Sequence, residues 1–221
     1  MTSIRGALAA ALFALPVAAP AATAHEGNPN YRSEVRSTAP AVPGLDARVL
    51  NFDDRIEFVY AGDRVLVVEG YRGEPYLRFR PGGRVEVNRR SPAGYLNEDR
   101  FAQADVPGRA DHRAPPEWRT IARNGRYDWH DHRIHWMSEG SLPPRVKDES
   151  KPVTVFAWRI PVEAGGRSAA VRGTLRWLGR DDGGFPVAAG LSLAVALVAG
   201  TLLVVVVRRR RARPRAVEEA W

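Results

Sequence analysis

Residues 153–178 read VTVFAWRIPVEAGGRSAAVRGTLRWL. Two runs rich in β-branched and aromatic residues, Val153 to Val162 and Ala169 to Leu178, flank Gly165-Gly166. In the second run Val171, Leu175 and Trp177 share one face and Arg172, Thr174 and Arg176 the other, the period of a half-buried strand. A glycine pair between two such runs is the loop of a β-hairpin. Upstream, Tyr76 to Arg80 and Arg84 to Asn88 repeat the pattern around Pro81-Gly82-Gly83. Arg48 to Leu50, Arg55 to Tyr60 and Arg64 to Glu69 are further short runs, and Ala61-Gly62-Asp63 separates the last two as a hairpin loop would. Residues 89–150 are loop-rich, with Ser91-Pro92, Pro107-Gly108, Pro115-Pro116 and Pro143-Pro144, and only Arg126 to Met137 looks ordered by pattern. Strands at short spacing without βαβ alternation predict an all-β fold, an immunoglobulin-like antiparallel β-sandwich with a loop-rich insertion at 89–150. Its bounds are 45–182, preceded by an extended N-terminal arm at 25–44.

The two ends have other compositions. Residues 1–24 hold Arg5, an apolar run from Ala7 to Ala19, and Ala22-Thr23-Ala24, the small-x-small pattern of a cleaved export signal. Pro186 to Val207 is free of charge and long enough, at about 1.5 Å per residue, to cross a hydrocarbon core of roughly 30 Å. Arg208-Arg209-Arg210-Arg211 follows, which predicts a transmembrane helix at 186–207 and a basic cytoplasmic tail at 208–221. The expected protein is single-pass in the plasma membrane, with its folded part extracytoplasmic.

The chain of 221 residues carries a net charge of +8, but the stretch from His25 to Phe185 holds 26 basic and 23 acidic residues. A balanced middle with a basic tail is no nucleic-acid footprint, so the bilayer is the expected partner. The absence of cysteine excludes disulfides, thiolate catalysis, iron–sulfur clusters and Cys-based zinc sites.

Chemistry concentrates in histidine. Of the five, His112, His130, His132 and His135 fall within 24 residues. On a strand, His130 and His132 point to one face and can share a metal; His135 takes the opposite face unless the segment bends. Met137 stands beside them as a soft ligand, Asp131 as an orienting partner, and His112 as a further candidate in a proline-rich loop. Cleavage after Ala24 makes His25 the first residue, able to chelate through its α-amine and ring Nδ1, which with another imidazole suits Cu(II). The amine, with a pKa of about 7.7–8.0, gives up its proton cheaply. Copper is therefore the expected ion and zinc the alternative. A second reading makes His130 and His132 part of a buried, hydrogen-bonded aromatic patch. Asp53-Asp54 and Asp181-Asp182 read as solvated turns, Ser91 to Asn97 as a structured insertion, and Trp158 and Trp177 as residues of facing sheets. No nucleophile elbow or phosphate-cradling glycine loop is present, and no acid–base pair calls for an enzyme.

A signal releasing an N-terminal histidine onto an immunoglobulin-like domain followed by a membrane helix resembles the exported copper-resistance proteins of the CopC type. In outline it is also similar to single-pass exported proteins of actinobacteria. The resemblance implies Cu(II) held by His25 and further histidines, a role in copper handling outside the membrane, and envelope or copper-transport membrane proteins as partners. After His25 this chain reads Glu-Gly-Asn-Pro-Asn-Tyr, where that family has a small residue, a leucine and Ser-x-Pro. The expected function is membrane-anchored copper binding through His25, His130 and His132. The alternatives are an envelope interaction module without metal and, third, an oxidative metalloenzyme with an open coordination position.

Overall fold

The computed structural model describes residues 27–180 and 187–211, so the expected signal peptide, His25, Asp181-Asp182 and most of the tail lie outside the described residues. Among the described residues ten strands form two antiparallel sheets. The larger contains, in spatial order, β1 (Tyr31–Ala39), β10 (Arg167–Trp177), β9 (Val153–Ala164), β4 (Leu66–Glu69), β5 (Pro75–Phe79), β6 (Val85–Asn88) and β7 (Trp118–Ala122). The smaller contains β2 (Leu45–Leu50), β3 (Arg55–Tyr60) and β8 (Arg126–Trp129). One short helix, α1 (Ala93–Leu96), precedes β7, and a long one, α2 (Val187–Arg211), follows the sheets.

The fold is thus the all-β antiparallel sandwich expected, and the β9–β10 hairpin is its longest ladder, turning at Gly165-Gly166 with φ of 54° and 81°. Val171, Leu175 and Trp177 are buried and Arg172 is exposed, as their alternation requires. The sheets meet through aromatic rings: Phe58 of β3 lies 6.3 Å from Phe79 of β5 between ring centroids, and packs edge-on against Trp129 of its own sheet at 5.0 Å. Trp129 in turn meets Tyr76 at 6.1 Å. Edge-to-face contacts of this kind add to the burial that holds a cysteine-free domain together.

Several expectations change. Within the arm expected at 25–44, β1 is a strand of the large sheet, paired along its length with β10. The insertion at 89–150 contains β7 and β8, one in each sheet. Ala61-Gly62-Asp63 is not a hairpin loop, because β3 and β4 belong to different sheets and the segment crosses between them. Trp158 and Trp177 lie on neighbouring strands of one sheet, not on facing sheets. Trp158 pairs across from Gly173, whose missing side chain leaves room for the indole, and Trp158 Nε1 donates to Ser33 Oγ at 2.9 Å.

Helix α2 exposes its leucine and valine side chains from Leu193 to Val207, and its stretch Ser192–Arg209 is long and apolar enough to cross a membrane.

A Cβ at Gly173 would meet Trp158 Cζ2 at 2.0 Å and the backbone oxygen of Glu34 at 2.2 Å. Gly173→Ala is therefore expected to lower stability by about 2–3 kcal/mol, read as a lower urea midpoint by tryptophan fluorescence. Gly140→Ala, with nothing within 4 Å of its new Cβ, should leave the midpoint unchanged.

Candidate functional site

The two ends of the sandwich are built differently. At one end the connections are short: 40–44, 61–65, 80–84, 123–125 and 165–166. At the other lie the connections 51–54, 70–74, 89–117 and 130–152, the start of β1, and the exit of the chain after β10. Long connections on a rigid scaffold are where binding groups gather, and here they hold most of the buried charge.

The β2–β3 connection begins this site. Asn51 and Phe52 adopt φ of 48° and 67°, a conformation costly for residues with side chains, and the turn carries Asp53 and Asp54 inward. Both carboxylates are buried, which overturns their reading as a solvated turn. Buried carboxylates need charged partners, and Arg100 from the insertion supplies one: its guanidinium lies 2.9 Å from Asp53 Oδ2 and 3.0 Å from Asp54 Oδ1. Asp53 Oδ1 also accepts from the Asn28 backbone N–H at 3.1 Å. Burial nevertheless raises the Asp53 pKa above the ordinary carboxylate value, with Arg100 opposing it. At Asp54 burial is outweighed by His130 and Arg100, and its pKa is lowered.

His130 extends this network by hydrogen bonds. Its Nδ1 donates to Asp54, 3.1 Å from Oδ1 and 3.2 Å from the carbonyl, and its Nε2 accepts from Arg55 at 2.8 Å. Arg55 also donates to the side chain and the carbonyl of Asp128. Both nitrogens of His130 are thus committed to protein groups, leaving no lone pair to spare.

Beyond Trp129 the strand stops, so the expected placement of His130 and His132 on one strand face does not hold. The reason is local. Asp131, fully buried, accepts from the Arg133 backbone N–H at 3.1 Å and from the Arg133 side chain at 2.7 Å, and the Ile134 N–H returns to the Asp131 carbonyl at 3.0 Å. A carboxylate bonded two residues ahead makes a turn in place of the ladder. The same carboxylate accepts from Trp129 Nε1 at 2.8 Å, so Asp131 fixes this turn and does not orient a histidine ring. Burial would raise its pKa, but the charge and hydrogen bonds of Arg133 hold it below the ordinary value.

The turn brings His132 and His135 together, their ring centroids 5.7 Å apart and their planes near perpendicular. His132 stacks on Tyr71 at 5.5 Å, and Arg133 lies 5.1 Å from the centre of the Tyr71 ring. The Tyr71 hydroxyl donates to Asn97 Oδ1 and accepts from the His132 backbone N–H. His132 Nε2 donates to the Asp99 carbonyl at 2.9 Å, which leaves the lone pair on Nδ1. His135 Nδ1 donates to the Trp136 carbonyl at 3.2 Å, which leaves the lone pair on Nε2. That Nε2 is buried without a hydrogen-bond partner. Burial lowers the pKa of both rings, His135 to about 4 with the Arg100 charge adding to the effect. Both are neutral at pH 7.

Met137 is exposed, and His112 lies in the connection before β7, 3.8 Å from Asp111. Ser91 and Asn97 are buried at the ends of α1, where Ser91 Oγ donates to Glu74 Oε1 at 2.7 Å. A cavity of about 650 Å³ opens beside the site, lined among others by Gly27, Tyr31, Arg100, Phe101, Trp136 and Arg180. Among the described residues no three His, Asp or Glu side chains are gathered as a metal site. Sequence reasoning missed Tyr71, Asp99, Arg100 and Phe101, which carry no motif; the one available signal was the need of Asp53-Asp54 for a cation. Compared with known protein families, curated proteins and solved structures, the chain matches none.

The neutral burial of His135 has a stability consequence. Its pKa is about 6.5 in the unfolded chain and about 4 in the fold, so the unfolded chain takes up the proton first as pH falls. Stability from this group is complete above pH 6.5 and declines between pH 6.5 and 4, by about 3 kcal/mol in all. Urea midpoints measured from pH 7 to 4.5 should fall in the wild type and fall less steeply in His135→Phe.

Proposed function

We propose that this chain is a membrane-anchored, extracytoplasmic metal-binding protein that handles copper, with zinc as the alternative ion. In this reading α2 crosses the bilayer, Arg208 to Arg211 keep the tail in the cytoplasm, and the signal is removed before His25. The observation that carries it is His135 Nε2, a buried lone pair on a neutral imidazole with no protein partner. Leaving such an atom unpaired costs about 1–3 kcal/mol, and a metal ion would satisfy it. Its other nitrogen donates to a backbone carbonyl, the arrangement that fixes the tautomer of a ligating histidine. His132, bonded the same way, is the second ligand, and His25 supplies the amine and ring nitrogens. Gly27, which lines the adjoining cavity, is two residues from His25, a reach of about 7 Å. His130 leaves the ligand set because Arg55 and Asp54 hold both its nitrogens. The reading agrees with the resemblance to copper-resistance proteins and requires no cysteine.

A second reading, an anchored interaction module whose histidines serve packing, draws on the full engagement of His130 in the hydrogen-bond network. Cu(II) titration of the signal-processed full chain in detergent, followed by d–d absorption and paramagnetic resonance, separates the two. Copper binding is expected at one equivalent, at least tenfold weaker in His135→Ala and in a chain with one extra residue before His25. Binding unchanged in His132→Ala and His135→Ala would move the site elsewhere, and binding no tighter than to a histidine peptide would leave the interaction module.

A further inference from the structure

Apart from α2, four large apolar side chains are exposed among the described residues: Phe52, Val106, Met137 and Leu178, at 37–41%. Single exposed apolar residues need no explanation, but their distribution here does. Phe52 lies between β2 and β3, Val106 between β6 and β7, Met137 between β8 and β9, and Leu178 just after β10. All four connections are at the end of the sandwich that carries the long loops. The short turns at the other end contribute none.

The covalent tether says what this end faces. Six residues separate Arg180 from Val187, so the domain's exit and the helix's start are at most about 25 Å apart. The charge-free part of α2, Val187 to Val207, is about 31 Å long and matches the hydrocarbon core. Headgroups add roughly 5–7 Å above that core on each side. The 11 residues of β10 place the short-turn end a further ~35 Å away. A tether this short holds the loop end, where the chain leaves the domain, within about 25 Å of the start of α2, while the short-turn end is free to lie farther off.

Two guanidinium groups at this end lie against aromatic rings, and Arg180 is also paired with Glu149 at 2.9 Å. Arg32 lies over the Phe52 ring at 5.2 Å, and Arg180 lies 5.9 Å from the Trp177 ring. Guanidinium groups beside apolar side chains suit a boundary where phosphates overlie acyl chains.

We propose that the loop end of the sandwich rests on the outer leaflet, with Phe52, Val106, Met137 and Leu178 seated at the headgroup–acyl boundary. This rests on the reading of α2 as a membrane span and is independent of the metal. The domain then stands on the bilayer through several separate loops, and the histidine end faces the lipid.

The chain lacks cysteine, so single cysteines report cleanly. Full-length Phe52→Cys, Met137→Cys, Arg123→Cys at the short-turn end, and Leu202→Cys within α2 would each carry the same environment-sensitive nitrobenzoxadiazole label. They would be reconstituted in phosphatidylcholine–phosphatidylglycerol vesicles. Labels at 52 and 137 are expected to be quenched several-fold more by doxyl lipid, and several-fold less by aqueous iodide, than the label at 123. Labels at 52 and 137 that behave like the one at 123, while 202 remains lipid-quenched, would overturn the proposal and leave the membrane span standing. Failure of lipid quenching at 202 would overturn the span and this proposal together.

Discussion

Two adjacent carboxylates, Asp53 and Asp54, are buried at a turn between strands, and the rest of this end of the molecule answers to them. A buried anion needs a cation with matching geometry, and Arg100 reaches both from a connection that local sequence leaves without regular structure. Once Arg100 is held there, Asp99 and Phe101 are placed beside the histidines, and the insertion becomes part of the domain. The network continues through His130 and Arg55 to Asp128 on β8, tying the smaller sheet to the same point. Removing Arg100 would leave two buried carboxylates without their cation. Loops of this length stay in one arrangement only when such a demand is met.

The sequence is most readable where one strand face is wet. Arg172, Thr174 and Arg176 alternate with Val171, Leu175 and Trp177 because β10 buries only one side, and the β9–β10 hairpin could be placed from composition. β1 could not be placed. Among its residues only Tyr31 and Ser33 are buried, and its pairing depends on β10, over a hundred residues downstream. β7 failed for a similar reason: it is an edge strand in a proline-rich stretch, with no buried residue. Of the neighbouring histidines the fold brings His132 and His135 into ring contact, and not through the two-residue spacing of a strand. A period of two is a strand signal only while the backbone bonds to a neighbour, and Asp131 offers a competing bond that ends the strand. Asp53-Asp54 were visible, but their partner was not, since nothing local announces an arginine 46 residues away.

The five histidines divide by what holds their nitrogens. His130 belongs to the hydrogen-bond network, His112 stands by Asp111, and His25 lies outside the described residues. His132 and His135 alone combine neutral rings with carbonyl-bonded N–H groups that point a lone pair elsewhere. The His130 ring is bonded through both nitrogens, whereas His132 and His135 are each oriented through one nitrogen and leave the other without a protein partner. The difference cannot be read from spacing, because it depends on Asp99 and Trp136 presenting carbonyls.

The first strand of the large sheet finds its ladder only in the last. Tyr31 is paired with Trp177, and the Leu178 N–H closes onto the Asn30 carbonyl at 2.7 Å. A chain delivered from its N-terminus must therefore hold Tyr31 to Ala39 unpaired until nearly all of the domain has been delivered. Pairings of such sequence separation are slow to form. In the meantime β9 and the unpaired first strand are open to pairing with other chains, a hazard the short edge strands elsewhere do not share. The pairing of the first strand thus waits on Arg167 to Trp177 and on no residue among the histidines.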